Sequence, residues 1–285
     1  MKKPNLLRGY SKESFTRAPF ILSASDLRKF LQCPRSVYLK ILKPSALPPP
    51  EPRVPLLLGT FEHKCREILV KELKPIYLIL QSTSEIDPVR TQHIVSTVVE
   101  RVKNETVRKS PSFIEEINDA AIAVLTRLLK EEADRMQKAQ RLMDGGLRGV
   151  ELVENILPIS EEHWVESRQL GLKGFIDQVW KLGGGIVPLD IKTGTIRPAG
   201  QVDEETRVQL TSYALLMEHE RRIECDLGMV YYPHLSTTVP INIDQTLREK
   251  TLGIRDQIGA MLKSGREPEP CMNPYCDACR QEALT

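Results

Sequence analysis

An α/β protein, with a chemistry-bearing sheet set among helical stretches, is what this chain predicts on three observations. Apolar residues recur at helical spacing over residues 58–69, 94–102 and 114–136. From Gly149 to Thr193, short runs rich in Val, Ile and Trp alternate with turns. The 285 residues, 41% hydrophobic and 27% charged, suffice for one large domain or a domain with an appendage, and exclude disordered and collagen-like architectures. A mean hydropathy of −0.28, with no apolar run of membrane-spanning length, argues against a transmembrane segment. Polar residues rather than an apolar stretch follow the basic Met1–Tyr10, so no secretory signal is expected and the cytoplasm is the expected location.

In order along the chain, SASDLRKFLQCPRSVYLKIL from Ser23 reads as a capped helix broken near Pro34, with Cys33 at the break. Residues 44–55 hold six prolines and read as an extended linker. Leu58, Phe61, Cys65, Ile68 and Leu69 then mark a helix whose buried stripe excludes His63. Two further helical patterns carry no chemistry of their own: Ile94 to Val102, then Ile114 to Met136. After Asp144-Gly145-Gly146 four strands are expected, in VELVENILPI, HWVESRQLG, LKGFIDQVWKL and GIVPLDIKT, as antiparallel neighbours joined by turns such as Gly183-Gly184-Gly185. A helix through Val208–Met217, strands around 227–232 and 237–243, and a helix from Gln245 to Lys263 complete the pattern.

The net charge of +2 conceals a division: residues 1–150 carry 26 basic against 17 acidic side chains, and residues 151–285 carry 14 against 21. The first 43 residues hold ten basic and two acidic groups. Such a segment favours phosphate-rich partners, or is simply a solvated basic arm.

Of six cysteines, Cys271, Cys276 and Cys279 form C-x4-C-x2-C in a proline- and turn-rich segment that can wrap thiolates around one centre. Cys33 is the best fourth ligand, since Cys65 and Cys225 lie in apolar patterns where a thiol behaves as a small hydrophobe. A trio plus a distant single suits an iron-sulfur cluster better than the paired C-x2-C knuckles of structural zinc; zinc and unliganded thiols are the alternatives. Closing the chain from Cys33 to Cys271 would remove about 5 kcal/mol of unfolded-state freedom in the chain-entropy model.

Asp177 ends GFID and Asp190 and Lys192 form DIK, on two strands separated by the glycine turn. Residues i and i+2 of a strand share a face, so Asp190 and Lys192 project together and a hairpin brings Asp177 opposite them. Two carboxylates of this kind bind Mg or Mn, and a nearby lysine can orient or deprotonate a metal-bound water. Taken singly, each is more ordinarily a turn aspartate or a surface ion pair. Gly59-x-x-x-His63 offers an imidazole turned from the core stripe, and Gln209-x-x-x-Tyr213 places an amide and a phenol on one helix face, able to bond phosphate or stack on a base.

The ordered set Gly59/His63, Gly174/Asp177, Asp190/Lys192 and Gln209/Tyr213 resembles the RecB-like branch of the PD-(D/E)xK nuclease superfamily. With one cysteine in a C-P-R helix before these motifs and three after them, the chain is similar to the iron-sulfur nucleases. Among those it most resembles the CRISPR-adaptation family that trims new spacers, whose relatives include the nuclease domain of a eukaryotic replication helicase and AddB-type recombination nucleases. The resemblance runs from Ser23 to Arg280. It implies a restriction-endonuclease-like core, a mixed sheet flanked by helices, with a helical region and an iron-sulfur subdomain formed by both chain ends. The expected division is 20–44 plus 266–285 for the iron-sulfur subdomain, 56–84 plus 146–265 for the nuclease core, and 85–145 for a helical insertion.

By position, the resemblance makes His63, Asp177, Asp190 and the backbone carbonyl of Ile191 ligands of Mg or Mn, and Lys192 the catalytic lysine, with Asp190 and Asp177 beside it. It assigns Gln209, Tyr213 and Arg35 to DNA, and Cys33, Cys271, Cys276 and Cys279 to a 4Fe-4S cluster. The implied activity is exonucleolytic cleavage of single-stranded DNA or overhangs, with CRISPR integrase subunits as partners and no membrane. A repair or replication exonuclease of the same fold, and a non-catalytic DNA-binding scaffold, are the alternatives. Asp190 stands where many members have Glu, and the stretch from about 85 to 145 lengthens the chain relative to the common form.

Overall fold

The computed structural model describes residues 20–47, 53–193, 202–273 and 275–280. Residues 1–19, with five of the ten basic groups of the N-terminal segment, thus lie outside the described residues. Ser23 caps the first helix, α1 (Ala24–Gln32), through a reciprocal pair: its hydroxyl accepts from the Asp26 amide and the Asp26 carboxylate accepts from the Ser23 amide. Cys33 breaks the helix as expected, and Pro34 opens α2 (Pro34–Leu42) at the position where a missing amide costs nothing. The proline stretch is less extended than its composition predicts. Pro44–Ala46 form a 3-10 turn, and Val54 and Pro55 already belong to α3 (Val54–Ile79), because proline is tolerated in a first helical turn.

The two apolar stripes that follow become α4 (Pro88–Lys109) and α5 (Ile114–Asp144). One expected strand is a helix: VELVENILPI contains α6 (Gly149–Ile156). Its Val and Ile content points to a strand, but Leu152, Val153 and Ile156 are the buried positions, a spacing that only a helix brings to one face.

Six strands make one mixed sheet: β1 (Leu22–Ser23), β2 (Ser160–Ser167), β3 (Leu172–Leu182), β4 (Gly185–Ile191), β5 (Leu227–Tyr232) and β6 (Thr237–Asn242). β2, β3 and β4 are antiparallel neighbours, and the β3–β4 hairpin turns through Gly183 and Gly184 at φ of 56° and 83°, conformations that glycine adopts freely. β4 and β5 run parallel, which requires a crossover, supplied by α7 (Glu204–Arg221). β6 returns antiparallel beside β5 and leads into α8 (Gln245–Ser264).

The register contains a gap that decides where the site falls. β2 occupies one edge of β3 over 172–179, so β1, at Leu172–Lys173, and β4, at Gln178–Leu182, must both lie on the other edge. Between them, 174–177 have no strand partner on that edge. The sheet therefore opens at Asp177.

One hydrophobic cluster packs α1, α2, α7 and α8 on the sheet around Leu27, Ile176, Leu210, Val230 and Ile258. A second packs α3 to α6, from Phe61 to Leu157, and so takes in α3 and α6 as well as the 85–145 stretch. The helical unit is pinned to the sheet by buried charge. Arg66 of α3 bridges Glu62 and Glu131, and Tyr231 of β5 donates to Glu131 while its ring lies under the guanidinium. Among the described residues no helix is long and apolar enough to cross a membrane.

Candidate active site and cysteine centre

A cleft of about 640 Å³ lies where the β3–β4 ladder ends, and His63, Asp177, Asp190, Lys192 and Gln209 all line it. The helix carrying His63 can approach because residue 59 is glycine: a Cβ there would lie 3.1 Å from the Thr193 Oγ1 just beyond β4. One turn on, His63 Nε2 lies 3.3 Å from the Ile191 carbonyl oxygen, and Nδ1 lies 3.6 Å from Asp177 Oδ1. Asp177 fills the gap in the ladder, its Oδ2 accepting from the Ile191 amide at 2.6 Å. Asp190 is 2% exposed, and its Oδ2 sits 2.6 Å from the Lys192 ammonium in an ion pair whose angle makes no hydrogen bond.

Burial, and then the Asp190 charge beside it, push Asp177 up to about 7. His63 is also raised: burial works against its charged form, but the carboxylates of Glu162 and Asp177 outweigh it. Crowded, desolvated carboxylates beside an imidazole and a backbone carbonyl are a donor set that a hard divalent cation fits, because its charge offsets the burial and the repulsion that raise Asp177.

Glu162 is not among the residues that the sequence points to. The β2–β3 register runs from Glu161↔Gln178 to His163↔Ile176, which sets Glu162 opposite Asp177. Its carboxylate groups with His63 and Asp177, the three ligand atoms lying within 4.8 Å of one another. Its φ of 44° is left-handed, a strain of order 1–3 kcal/mol of the kind that persists at functional sites. The available signal was the pair Glu161-Glu162 opening a strand, since alternation turns one of the two towards Asp177. Arg28 of α1, whose Nε is buried without a hydrogen-bond partner among the described residues, lines the cleft as well. Arg35 does not: its Nε donates to Glu267 at 2.9 Å and ties α2 to the C-terminal segment.

Of the two α7 residues expected to meet DNA, Gln209 lines the cleft and Tyr213 lies behind it. Tyr213 is 4% exposed, so its ring offers no face to a base. Gln209 Nε2 donates to the Tyr213 hydroxyl at 2.8 Å, and Gln209 Oε1 accepts from Lys192 at 3.2 Å. Gly174 makes room for this chain: a Cβ there would lie 2.9 Å from Tyr213 Cε1. The motif residues are therefore in one chain of contacts, from Gly174 through Tyr213 and Gln209 to Lys192.

The four cysteines meet where α1 ends. The sulfurs of Cys33, Cys271, Cys276 and Cys279 lie within 4.8 Å of one another, with Cys33 Sγ and Cys279 Sγ at 3.6 Å. All are free thiols; burial pushes the Cys33 thiol up, and the Ser36 amide, which donates to its Sγ at 3.3 Å, offsets that only in part. Four converging sulfurs from a helix break and a turn-rich loop are a donor set that fits a thiophilic metal centre. Cys65 and Cys225 are buried elsewhere, as their apolar settings predict.

A sheet that opens at an aspartate, an Asp-x-Lys pair and a histidine defines a hydrolytic metal site of the nuclease class. The family model of the PD-(D/E)XK nuclease superfamily matches residues 21–283, and the chain belongs to that superfamily, whose members use divalent metals. It is 35% identical over 118 residues to a CRISPR-associated exonuclease Cas4/endonuclease Cas1 fusion of Geobacter sulfurreducens, covering 40% of this chain and 21% of that protein. It is 29% identical over 129 residues to CRISPR-associated exonuclease Cas4 of Aeropyrum pernix, covering 43% and 64%. A similar match, 31% over 121 residues, covers 40% of this chain and 11% of the DNA replication ATP-dependent helicase/nuclease DNA2 of Gallus gallus. In each case the matched region spans less than two thirds of the relative.

Proposed function

We propose that this chain is an Mg- or Mn-dependent deoxyribonuclease that cleaves single-stranded DNA or overhangs, and that it trims prespacers in CRISPR adaptation alongside integrase subunits. The observation that carries this reading is the single cleft shared by His63, Asp177, Asp190 and Lys192. His63, Asp177, Asp190 and the Ile191 carbonyl would hold the cation, with Glu162 joining them. When bound, such a cation polarises the scissile phosphate and lowers the pKa of a water ligand. Lys192, aimed by Gln209 and Tyr213, orients the attacking water, while Arg28 bears on the phosphate at the mouth. The CRISPR setting draws on the likeness to the Cas4 proteins, one of them fused to Cas1. The likeness to a replication helicase/nuclease, of comparable extent, supports a repair or replication exonuclease as the second reading.

Replacing Lys192 by Ala should lower cleavage of end-labelled single strands by about 100- to 10,000-fold in Mg or Mn, with binding in EDTA unchanged. A Lys192→Ala protein cutting at full speed would remove the mechanism. Trimming of prespacer overhangs with the integrase subunits tests the setting; cleavage of bare strands without it favours the repair reading.

For the cysteine centre we propose a 4Fe-4S cluster, supported by the trio-plus-single arrangement. The close sulfur spacing favours a single tetrahedral zinc as the second reading. Protein purified without oxygen will be brown and contain iron under the first, and colourless and contain zinc under the second.

A further inference from the structure

Trp164 and Phe175 are 45% and 54% exposed, although both lie in the body of paired strands. They face each other across the β2–β3 register, with ring centroids 4.6 Å apart and planes at 52°. Two residues along the same strands stand Glu162 and Asp177. Alternation puts the rings and the two carboxylates on one face of the sheet, about 7 Å apart along the strands. The next position on that face of β3 is Lys173, set opposite Glu166, which Arg168 approaches at 3.7 Å. On the side away from the cleft the rings are therefore bordered by mixed charge, and on the cleft side stand the two carboxylates that a bound cation would neutralise.

We propose that Trp164 and Phe175 form a stacking platform for the unpaired base next to the phosphate held in the cleft. The proposal rests on the nuclease reading and adds to it the residues that select single strands. An aromatic pair beside a phosphate site suits a nucleotide better than a protein partner: the cleft takes the backbone while the rings take the base. Every base has a π-face, so the contact tolerates any sequence. In a duplex that face is already stacked and the base is paired, so the platform rewards only a strand that is open beside the cut.

Trp164 and Trp180 are the two tryptophans, so Trp180→Phe leaves Trp164 as the sole tryptophan, read by excitation at the red edge where tyrosine does not absorb. This protein is titrated, in EDTA to prevent cleavage, with an oligothymidylate, an abasic strand of the same length and a blunt duplex. The oligothymidylate should quench Trp164, and the other two should not. Replacing both Trp164 and Phe175 by Ala should weaken oligothymidylate binding roughly five- to hundredfold and leave abasic-strand binding unchanged. Trp164→Phe, which keeps a ring, should retain most of the affinity. No quenching, or equal weakening towards both strands, overturns the platform. A changed oligomeric state of the double variant on sizing also overturns it, by making the pair a protein interface. Wild-type protein that binds and, with metal, cuts single strands while Trp164 stays silent overturns the platform alone. Wild-type protein that neither binds nor cuts overturns the nuclease reading with it.

Discussion

Asp177 carries an electrostatic conflict, because it is buried beside Asp190, and the Ile191 amide, the His63 imidazole and the Lys192 ammonium offset its charge only in part. Its folded pKa of about 7 stands above the ordinary 3.8, so the protein prefers the neutral acid. The stability this contributes is fully present below pH about 4 and is lost as pH rises through 7. Asp177→Asn keeps the acceptor for the Ile191 amide and deletes the charge. In EDTA, urea unfolding should find the variant more stable than its parent by on the order of 2 kcal/mol at pH 8, and the two nearly equal at pH 4. Mn should then reverse the order, raising the parent's melting temperature and leaving the variant's unmoved. A difference between the two proteins that does not vary with pH would mean that the carboxylates are not in conflict. Glu162 adds a third carboxylate to the group on a strained backbone, and a cation is what would reconcile all three.

At the scale of elements, the site is a set of close approaches. Gly59 admits α3 to the end of β4, and Gly174 admits Tyr213 of α7 to β3. Gly174→Ala should force Tyr213 aside and, through Gln209, misdirect Lys192. We expect kcat to fall at least tenfold while Mn affinity, measured calorimetrically, stays within about twofold and stability drops by about 1–3 kcal/mol. Unchanged kcat would break the link from glycine to lysine. Much of this was legible in the sequence, because G-x-x-D, D-x-K and Q-x-x-x-Y fix residue types at spacings that the strands and α7 preserve. What was not legible depends on contacts between distant segments. Glu162 becomes a site residue only when β2 pairs with β3 in one register, and Arg28 only when α1 packs beside the cleft. Tyr213 reads as a DNA contact until burial makes it a support. α6 was misread because its Val-rich composition favours a strand, whereas the helical core that it completes demands a helix.

Across the described residues, the α1–α2 segment and the C-terminal loop meet at the four cysteines, and polar ties repeat the junction. Glu267 accepts from Arg35 and Lys43, Tyr38 donates to the Gly265 carbonyl at 2.5 Å, and Arg53 pairs with Asp277. Because α1 packs against α7 and α8, and α2 against α8, this junction also braces the sheet whose interior strands β3 and β4 carry Asp177 and Asp190. Of the four grouped cysteines Cys33 alone comes from the N-terminal side, so under the proposed cluster its loss would open the closure while the C-terminal trio stays intact. Cys33→Ser should release the bound metal and, with about 3–5 kcal/mol of closure at stake, lower the melting temperature by on the order of 10 °C. Cys65→Ala is the matched control: it leaves a cavity in the helical core, 0% exposed, and so costs stability without loss of metal. Metal analysis and thermal melts on the two variants separate these effects. Cys33→Ser protein that keeps both its metal and its melting temperature would show that the ends are held by the Glu267 ion pairs and the packing of α1 and α2, with the four sulfurs contributing nothing to the closure.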